Sequence, residues 1–348
     1  MSAARRAAGR ARRVAALAIV LAVGSAVGVA AVANADSGDA DWLTTPIPAN
    51  PALAPSSSTW ANYLSDPKAQ RVANLYNYGV TLIPASAISS HTPRYDLSFT
   101  KDWGPDPFEA NSVPIPAGTR IPPGSDGAIA ILDPASGKAY GLWQAKHNSA
   151  DDTWSASWGG MTDLNGSAVD QSGTSTGTNI SRYAGLVTAA EFRRAIAANS
   201  GLNHALFVSS DIAGSRFVPP ATKSDGVNHA HVAESIPEGM RIQLDPAIDI
   251  NAIPGITPAE KVIAKTLQTY GAYVGDQGGA RMAFSFEMVP DATSDDHPGA
   301  VWSGAGLEWD YYDMKKIPWS GLRVLASWNG AGPAPGADAL SARVNGRR

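Results

Sequence analysis

Alternating apolar and polar positions dominate the chain between residues 60 and 330, in short runs separated by turn residues. A period of two is typical of strands that bury one face. In "RMAFSFEMV" one face carries Met282, Phe284, Phe286 and Met288. In "GMRIQLD" the apolar positions alternate with polar ones, which are Arg241, Gln243 and Asp245. These runs predict a sheet with one buried face and one polar face, and the polar face is a candidate floor for a groove.

Turn and capping signals divide the pattern into elements. The run "GAIAILDPASGKAYGLWQA" predicts a hairpin around residues 133–137. Asp66-Pro67 predicts the start of a helix that ends near Gly79, and T-x-x-E capping boxes at Thr188 and Thr257 predict two more helices. Many strands and few helices, without regular strand-helix alternation, predict a mainly β fold: an antiparallel, jelly-roll-like β-sandwich with about three short helices.

The two ends of the chain differ from the middle. Residues 1–35 combine five arginines, an apolar run and Ala33-Asn34-Ala35, which is typical of a signal peptide. Arg12-Arg13 leaves the choice between general and twin-arginine export open. Residues 36–59 are rich in Pro, Ser and Ala and predict a linker, and residues 331–348 predict a disordered tail. We therefore expect one domain, residues 60–330, in a secreted protein that is extracellular or bound to the cell wall.

Composition narrows the function further. Without the leader, 22 basic side chains face 31 acidic ones, so we expect no nucleic-acid partner and no membrane association after cleavage. The chain has no cysteine, no Gly-rich phosphate loop and no G-x-S-x-G motif, and no cofactor is expected. His229 and His231 have the spacing of a metal pair but no matching acidic residues, so no metal site is expected either. We expect a monomer.

Acidic residues are the first catalytic candidates. Asp276 ends one predicted strand and Glu287 lies in the next, so a hairpin through residues 277–280 would bring both carboxylates to one groove, as glycoside cleavage requires. Glu308 and Asp310 are a second possible pair. His204 begins the apolar strand "NHALFV" and is either a general acid or base or a histidine satisfied by one backbone hydrogen bond.

Tryptophans indicate the class of ligand. Trp143 and Trp158 lie on predicted strands beside Gln144 and small residues that would not cover them. Indoles stack on the apolar faces of sugars while amides and charged groups bind the hydroxyls. The alternative is that these tryptophans belong to the core.

An ordered series of motifs adds a resemblance. The runs "NHALFV", "PATKSDG", "EGMRIQLDP" and "ITPAEKVIAKTLQTYGAYVGDQGG" resemble a family of secreted, mostly actinobacterial β-sandwich proteins. The similarity covers residues 115–330. It implies one sandwich domain and export, and it transfers no catalytic assignment. The positions that match the shared motifs are His204, Lys223, Arg241, Tyr270, Gly271 and Asp276.

Together these observations predict a secreted carbohydrate-active enzyme that cleaves a polysaccharide or cell-wall glycan in a groove on one sheet. Hydrolysis by Asp276 and Glu287, with Glu308 in reserve, is slightly favoured. The first alternative is a polysaccharide lyase, in which His204 or Tyr270 acts as base and acid while Arg241 or Lys223 neutralises a uronic carboxylate. The second alternative is a glycan-binding protein without catalysis.

Overall fold

The computed structural model describes residues 41–229 and 232–327. The predicted signal peptide and the predicted tail lie outside these ranges, as does His231. The described residues contain five α-helices: α1 Asp41–Thr44, α2 Ser57–Leu64, α3 Ala189–Ala198, α4 Pro258–Thr269 and α5 Ala300–Ser303.

The same residues form nineteen strands, several of them only two residues long. In chain order they are β1 Arg71–Asn74, β2 Thr81–Ile83, β3 Arg94–Tyr95, β4 Ser98–Phe99, β5 Val113–Pro114, β6 Ile129–Asp133, β7 Lys138–Trp143, β8 Lys146–Asn148, β9 Thr153–Ala156, β10 Trp158–Asp163, β11 Ser172–Gly173, β12 Leu206–Ser210, β13 Ala213–Phe217, β14 Ile236–Glu238, β15 Arg241–Leu244, β16 Ala272–Gln277, β17 Met282–Ser285, β18 Tyr312–Asp313 and β19 Leu322–Val324.

The larger sheet has seven strands in the order β18-β1-β17-β12-β16-β15-β19. The pairs β1-β17 and β12-β16 are parallel, and the other pairs of this sheet are antiparallel. Helices cover one face of this sheet. Leu206 and Val208 of β12 share a hydrophobic core there with Phe192 of α3 and Ile263 of α4.

The smaller sheet has five strands in the order β11-β10-β7-β6-β2 and packs on the other face of the larger one. Ala130 and Leu132 of β6 contact Phe207 of β12 and Tyr273 of β16 in a core between the sheets. The alternate residues of β6 belong to a third core, which short strands cover from outside. The mainly β, sandwich-like fold is thus confirmed, with five helices in the described residues instead of about three.

Local signals in the sequence account for several elements. The hairpin of β6 and β7 pairs Asp133 with Lys138, as predicted. Both capping boxes form, because each threonine accepts the N–H of a glutamate whose side chain accepts the N–H of the threonine. Gly271 ends α4 with a φ of 72°, a conformation that favours glycine. The predictions of the hairpin and of both capping boxes are confirmed.

The first predicted helix is wrong. Residues 71–74 form β1 instead, and Val72 and Ala73 are buried in its parallel pairing with β17. Asp66 caps only a short turn, in which its carboxylate accepts the N–H of Lys68 at 3.0 Å. Pairing with a strand more than 200 residues away therefore outweighs the local helix signal.

Residues 41–59, predicted to be part of the linker, pack onto the domain. Trp42 is 2% exposed, and its indole N–H donates to the carbonyl of Ser167 at 2.8 Å. The N–H of Ala54 donates to the carbonyl of Val324 at 3.0 Å. Apolar side chains at both ends of this Pro-rich segment anchor it, so the ordered domain begins before residue 60.

The polar face predicted for β15 is not a solvated surface. Arg241 and Gln243 are both buried, at 7% and 1% exposure. The guanidinium of Arg241 donates to the carbonyls of Tyr270 and Thr45, at 2.7 and 2.9 Å. The N-terminal segment covers this face, and buried polar side chains there complete backbone hydrogen bonds. The face of β15 predicted as the floor of a groove is therefore covered, and only a small cavity of about 70 Å³ remains beside Arg241.

The hairpin predicted between β16 and β17 is also wrong. The strand β12 lies between them, parallel to β16 and antiparallel to β17. Asp276 and Glu287 consequently do not face each other across a strand pair. Strands that are consecutive in sequence often pair with each other. Here β12 lies between β16 and β17 and completes the backbone hydrogen bonds of both strands.

Candidate functional site

A cleft of about 290 Å³ opens beside the carboxyl end of β16. It collects side chains from the end of β7, from the loops around residues 103, 126, 175 and 224, and from β16 itself. The lining residues are Trp103, Asp126, Trp143, Thr174, Ser175, Thr176, Gly177, Arg182, Lys223, Asp225, Asp276 and Gln277. Its size approaches the range of small-molecule sites, and its mixture of indoles and charges is typical of a site for a polar ligand.

A bulge at Gly275 directs Asp276 into this cleft. Val208 pairs with Val274, but the next residue, Ser209, pairs with Asp276, so Gly275 is an extra residue in β16. A β-carbon on Gly275 would lie 2.0 Å from the ring of Phe207, so glycine is required. Ala272 and Val274 point to the helix side, and regular alternation would send Asp276 there too. The bulge turns it to the cleft, a known use of bulges.

Two acidic side chains join Asp276, and we call Asp225, Glu238 and Asp276 the cleft cluster. A β-carbon placed on Gly177 would lie 2.3 Å from Oδ1 of Asp225 and 2.7 Å from Oδ1 of Asp276. The distance between the Oδ1 atoms of Asp225 and Asp276 is therefore no larger than the sum of these two distances. Oε2 of Glu238 accepts the N–H of Asp225 at 3.3 Å, whereas Oε1 has no hydrogen-bond partner among the described residues. Glu238 itself is fully buried.

Crowded carboxyl groups retain protons. Burial and the neighbouring Asp225 raise the pKa of Asp276 to about 8, although Arg182 and the N–H of Gly177 oppose this shift. Burial and Asp225 also raise the pKa of Glu238 to about 9. Ionising all three groups would place like charges together in a poorly solvated site. Asp276 and Glu238 therefore hold protons at neutral pH, and such shifted groups are common at sites that exchange protons with a ligand.

The loop that carries Asp225 is fastened to β13. Oγ of Ser224 donates to the carbonyl of Gly214 at 2.8 Å and accepts the N–H of Gly226 at 2.9 Å. Oδ1 of Asp225 accepts the N–H of Gln277 at 3.2 Å, which ties the loop to the end of β16. These bonds hold an exposed carboxylate in one place beside Asp276.

A second loop lines the cleft, and the buried Asp170 organises it. Its Oδ2 accepts both the N–H and the hydroxyl of Ser175, at 2.7 and 2.6 Å, and its Oδ1 accepts the hydroxyl of Ser181 at 2.7 Å. Oγ1 of Thr178 donates to the carbonyl of Gly275 at 2.8 Å. The loop is thus joined to the bulge that directs Asp276.

Two stacked indoles form the outer part of the cleft. The rings of Trp103 and Trp143 lie 5.7 Å apart with an angle of 21° between their planes. Trp103 is 58% exposed, which is unusual for the largest apolar side chain. A flat, solvent-facing indole beside carboxyl groups is a suitable surface for the apolar face of a sugar ring.

Two cations also line the cleft. Arg182 donates to the carbonyl of Ser175, and its Nε has no hydrogen-bond partner among the described residues. Lys223 has neither a hydrogen bond nor an ion pair with any part of the chain that the structure describes. Its ammonium group is free to bind hydroxyl or anionic groups of a ligand.

The structure brings three of the predicted site residues into this cleft, namely Asp276, Lys223 and Trp143. It places Glu287 and His204 elsewhere, in what we call the closed cluster: Glu191, His204 and Glu287. Glu287 is half-buried and also lines a second cavity of about 230 Å³. His204 is 2% exposed, with Nε2 at 3.1 Å from Oε2 of Glu191 and Nδ1 at 2.9 Å from the carbonyl of Ala205. Oε2 of Glu287 accepts the N–H of Ala189 at the start of α3.

The remaining predicted residues are also outside the cleft. Trp158 is 4% exposed and packs on Phe99, and Tyr270 packs beside the core between the sheets. Oε1 of Gln144 accepts the hydroxyl of Ser157 at 2.6 Å. Arg241 is buried as described above. Glu308 is exposed, and Asp310 is buried and accepts backbone N–H groups, so these two do not form the predicted pair.

Sequence reasoning missed Asp225, Glu238, Arg182 and Trp103. The only signal for Asp225 was its place two residues after Lys223 in "PATKSDG", a run already singled out by its resemblance. Glu238 reads as an ordinary strand end, and Trp103 lies in a polar loop. Their roles depend on contacts between segments far apart in the chain.

No three His, Asp or Glu side chains of the described residues form a group suited to a metal ion. Within the same ranges, no helix has the length and apolar character needed to cross a membrane. Comparison with protein-family models, with curated proteins and with solved structures found no match to this chain.

Proposed function

We propose that this chain is exported and hydrolyses glycosidic bonds of a polysaccharide in the cleft beside β16, with Asp276 and Asp225 as the catalytic pair. One observation carries the proposal: proton-holding carboxyl groups lie beside an exposed, stacked indole in one cleft. Paired carboxyl groups are what glycoside hydrolysis uses. Glu238 replaces Glu287 as the acidic neighbour of Asp276.

The roles follow from the protonation of each group. With a pKa of about 8, Asp276 is protonated at neutral pH and can donate a proton to the leaving glycosidic oxygen. Burial and then the neighbouring Asp225 raise the pKa of Asp276, and the exposed carboxyl group of Asp225 is placed to attack the sugar or activate water. Their close approach at Gly177 favours the retaining mechanism, which needs carboxyl groups about 5 to 5.5 Å apart, over the inverting one.

Glu238 has a supporting role in this scheme. Because it is fully buried, it contacts Asp225 and not the substrate. Its pKa of about 9 keeps it protonated at neutral pH, so it can donate to Asp225 and hold that carboxylate in place.

The lyase alternative has less support. Of the four residues that it uses, Lys223 lines the cleft, whereas His204, Arg241 and Tyr270 are placed elsewhere. A binding protein without catalysis would have the same indoles but no need for carboxyl groups with raised pKa values. Both alternatives are outcomes of the experiment that follows.

The test incubates the mature chain with xylan, β-1,3-glucan, arabinogalactan, alginate and polygalacturonate. New reducing ends without absorbance from unsaturated uronates are the expected result. Absorbance from unsaturated uronates would replace hydrolysis by elimination. Binding without either signal on any of these glycans would contradict the enzyme proposal for them.

A further inference from the structure

A second pair of aromatic side chains lies near the cleft, joined to it through residues 125 and 126. Asp126 lines the cleft, and the hydroxyl of its neighbour Ser125 donates to the phenol oxygen of Tyr78 at 3.4 Å. The ring of Tyr78 packs edge-to-face on Tyr311, with centroids 5.7 Å apart and an angle of 82°. Tyr311 is 39% exposed. We call Tyr78 and Tyr311 the tyrosine platform.

The tyrosine platform is held rigidly. Tyr311 has a φ of 57°, in the left-handed region that a bulky residue adopts only when its surroundings require it. The surroundings do so through Asp310, whose buried carboxylate accepts the N–H groups of Leu75, Tyr76, Asn77 and Tyr311, at 2.7, 3.1, 2.8 and 3.0 Å. One carboxylate thus joins the loop before Tyr78 to the loop of Tyr311. Backbone strain that is retained at an exposed aromatic indicates a binding role.

The platform and the cleft lie within electrostatic reach of each other. Burial raises the pKa of Tyr311, and the neighbouring Tyr78, Asp310 and Asp126 add to this shift. Asp126 thus both lines the cleft and lies near Tyr311. The carboxylate of Asp126 can bind hydroxyl groups of a sugar that lies between them.

We propose that the tyrosine platform binds sugar units of a long glycan beyond the cleft, so that the enzyme cleaves internal bonds of polymers and acts poorly on short oligosaccharides. This inference rests on the proposed hydrolysis of glycans. A cleft of about 290 Å³ cannot enclose a polymer, so the rest of the chain must lie across the surface. The exposed Tyr311, packed on Tyr78 and close to Asp126 in the cleft, marks a path for it.

The chain offers a matched control for Tyr311. Trp309 is only two residues away and is 46% exposed, but its ring packs on Tyr312 at 4.8 Å instead of on Tyr78. Replacing either residue removes one exposed aromatic side chain from the same loop. Only Tyr311→Ala removes part of the platform.

The experiment compares wild type, Tyr311→Ala, Trp309→Ala and Trp103→Ala on each polysaccharide of the panel and on its trisaccharide. It measures initial rates, product sizes and, by titration calorimetry with each glycan, binding. We expect wild type to produce medium-sized fragments early and to prefer the polymer. Tyr311→Ala should lower kcat/KM on the polymer about tenfold, as loss of one stacking contact predicts, and leave the trisaccharide unchanged. Trp309→Ala should match wild type, and Trp103→Ala should impair both substrates.

The outcomes separate this inference from the proposed function. Cleavage with no length preference, or equal effects of Tyr311→Ala and Trp309→Ala, would overturn the platform while hydrolysis stands. Tighter binding of the polymer that is lost in Tyr311→Ala, without any cleavage, would support the platform and overturn hydrolysis. No binding and no cleavage with any of the five glycans would overturn both.

Discussion

The cleft cluster and the closed cluster each place acidic side chains in poorly solvated positions. The two clusters differ in how they reduce the free-energy cost of burying charge. In the closed cluster, Glu191 faces a histidine and the start of a helix. In the cleft cluster, Glu238 and Asp276 face another acid, Asp225. In the first arrangement, Glu191 forms an ion pair with His204, and this pair stabilises the fold. The second retains protons beside an open cavity, which is useful for catalysis and costly for stability.

The pKa shifts of the Glu191–His204 pair and of the cleft cluster have opposite origins, whereas burial and the neighbouring Glu191 raise the pKa of Glu287. Burial acts to raise the pKa of Glu191, but the charge and hydrogen bond of His204 outweigh it and lower the value. Burial acts to lower the pKa of His204, but Glu191 raises it. No cation has a comparable effect in the cleft cluster, where Arg182 only weakens the upward shift of Asp276. Four measurements can break or sharpen this contrast.

The largest expected effect is on cleavage. Asp276→Asn removes the proposed proton donor and should lower the rate about 10²- to 10⁴-fold, the usual contribution of a general acid. Glu287→Gln should keep the rate within about twofold of wild type, because an amide oxygen can still accept the N–H of Ala189. Rates are measured on whichever glycan of the panel is cleaved. A reversed order of the two variants would transfer the catalytic role to Glu287.

The next effect is on stability. His204→Ala leaves the buried Glu191 without its cation and should cost about 3–5 kcal/mol in the free energy of unfolding at pH 6. The denaturant midpoint measures this change. Adding Glu191→Gln to His204→Ala should recover part of the loss, because it removes the unpaired charge. A cost below about 1 kcal/mol would show that the pair is not charged in the native state.

A third effect concerns pH. Asp276 and Glu238 have raised pKa values in the folded state, so the folded protein binds more protons than the unfolded chain between about pH 4 and the values near 8 and 9. Their stabilising contribution is therefore present at low pH and is lost as the pH rises, by at most about 1.4 kcal/mol per proton and pH unit. The difference in unfolding free energy between wild type and Asp276→Asn should fall from pH 5 to pH 9. A constant difference would contradict the raised pKa.

The closed cluster responds differently at acid pH. The raised pKa of His204 means that its contribution is complete below about pH 6.5 and is lost at higher pH. The lowered pKa of Glu191 means that its contribution is complete above about pH 4.5 and is lost at lower pH. Acidification should therefore reduce the difference in unfolding free energy between wild type and His204→Ala. It should preserve the corresponding difference between wild type and Asp276→Asn.

The smallest expected effect is at the helix cap of the closed cluster. Thr188→Ala removes the side chain that accepts the N–H of Glu191 and should cost about 1 kcal/mol, as Thr257→Ala should in α4. A second effect distinguishes them, because Thr188 also positions the glutamate that pairs with His204. A cost clearly larger for Thr188→Ala would confirm that the cap supports the ion pair. Equal costs would show that the cap at Thr188 and the Glu191–His204 pair stabilise the fold independently.

Much of the fold could be predicted because its signals are local. The capping boxes need only residues three apart, and the hairpin of β6 and β7 needs only a turn between two apolar runs. The helix predicted at residues 66–79 is wrong because a long-range contact determines the structure of this segment. Its residues pair with β17, and nothing near them in sequence indicates such a distant partner.

The candidate site could be predicted only in part. Asp276, Lys223 and Trp143 were identified because they stand beside recognisable strand ends or motifs. Glu287 was paired with Asp276 on the assumption that consecutive strands form a hairpin, and β12 lies between those strands instead. The acidic neighbours of Asp276 come from 51 and 38 residues upstream, at Asp225 and Glu238, where no sequence pattern marks them.

Sequence alone determined the mainly β character, both capped helices and Asp276 as the acid to examine, since these depend on side-chain periodicity and on hydrogen bonds between near neighbours. Tertiary structure decided which strands pair, that the N-terminal segment covers Arg241, and which acids lie beside Asp276. The physical reason is that a pKa depends on burial and on the charges nearby. Both are set only when distant segments meet, here at a bulge that one glycine allows.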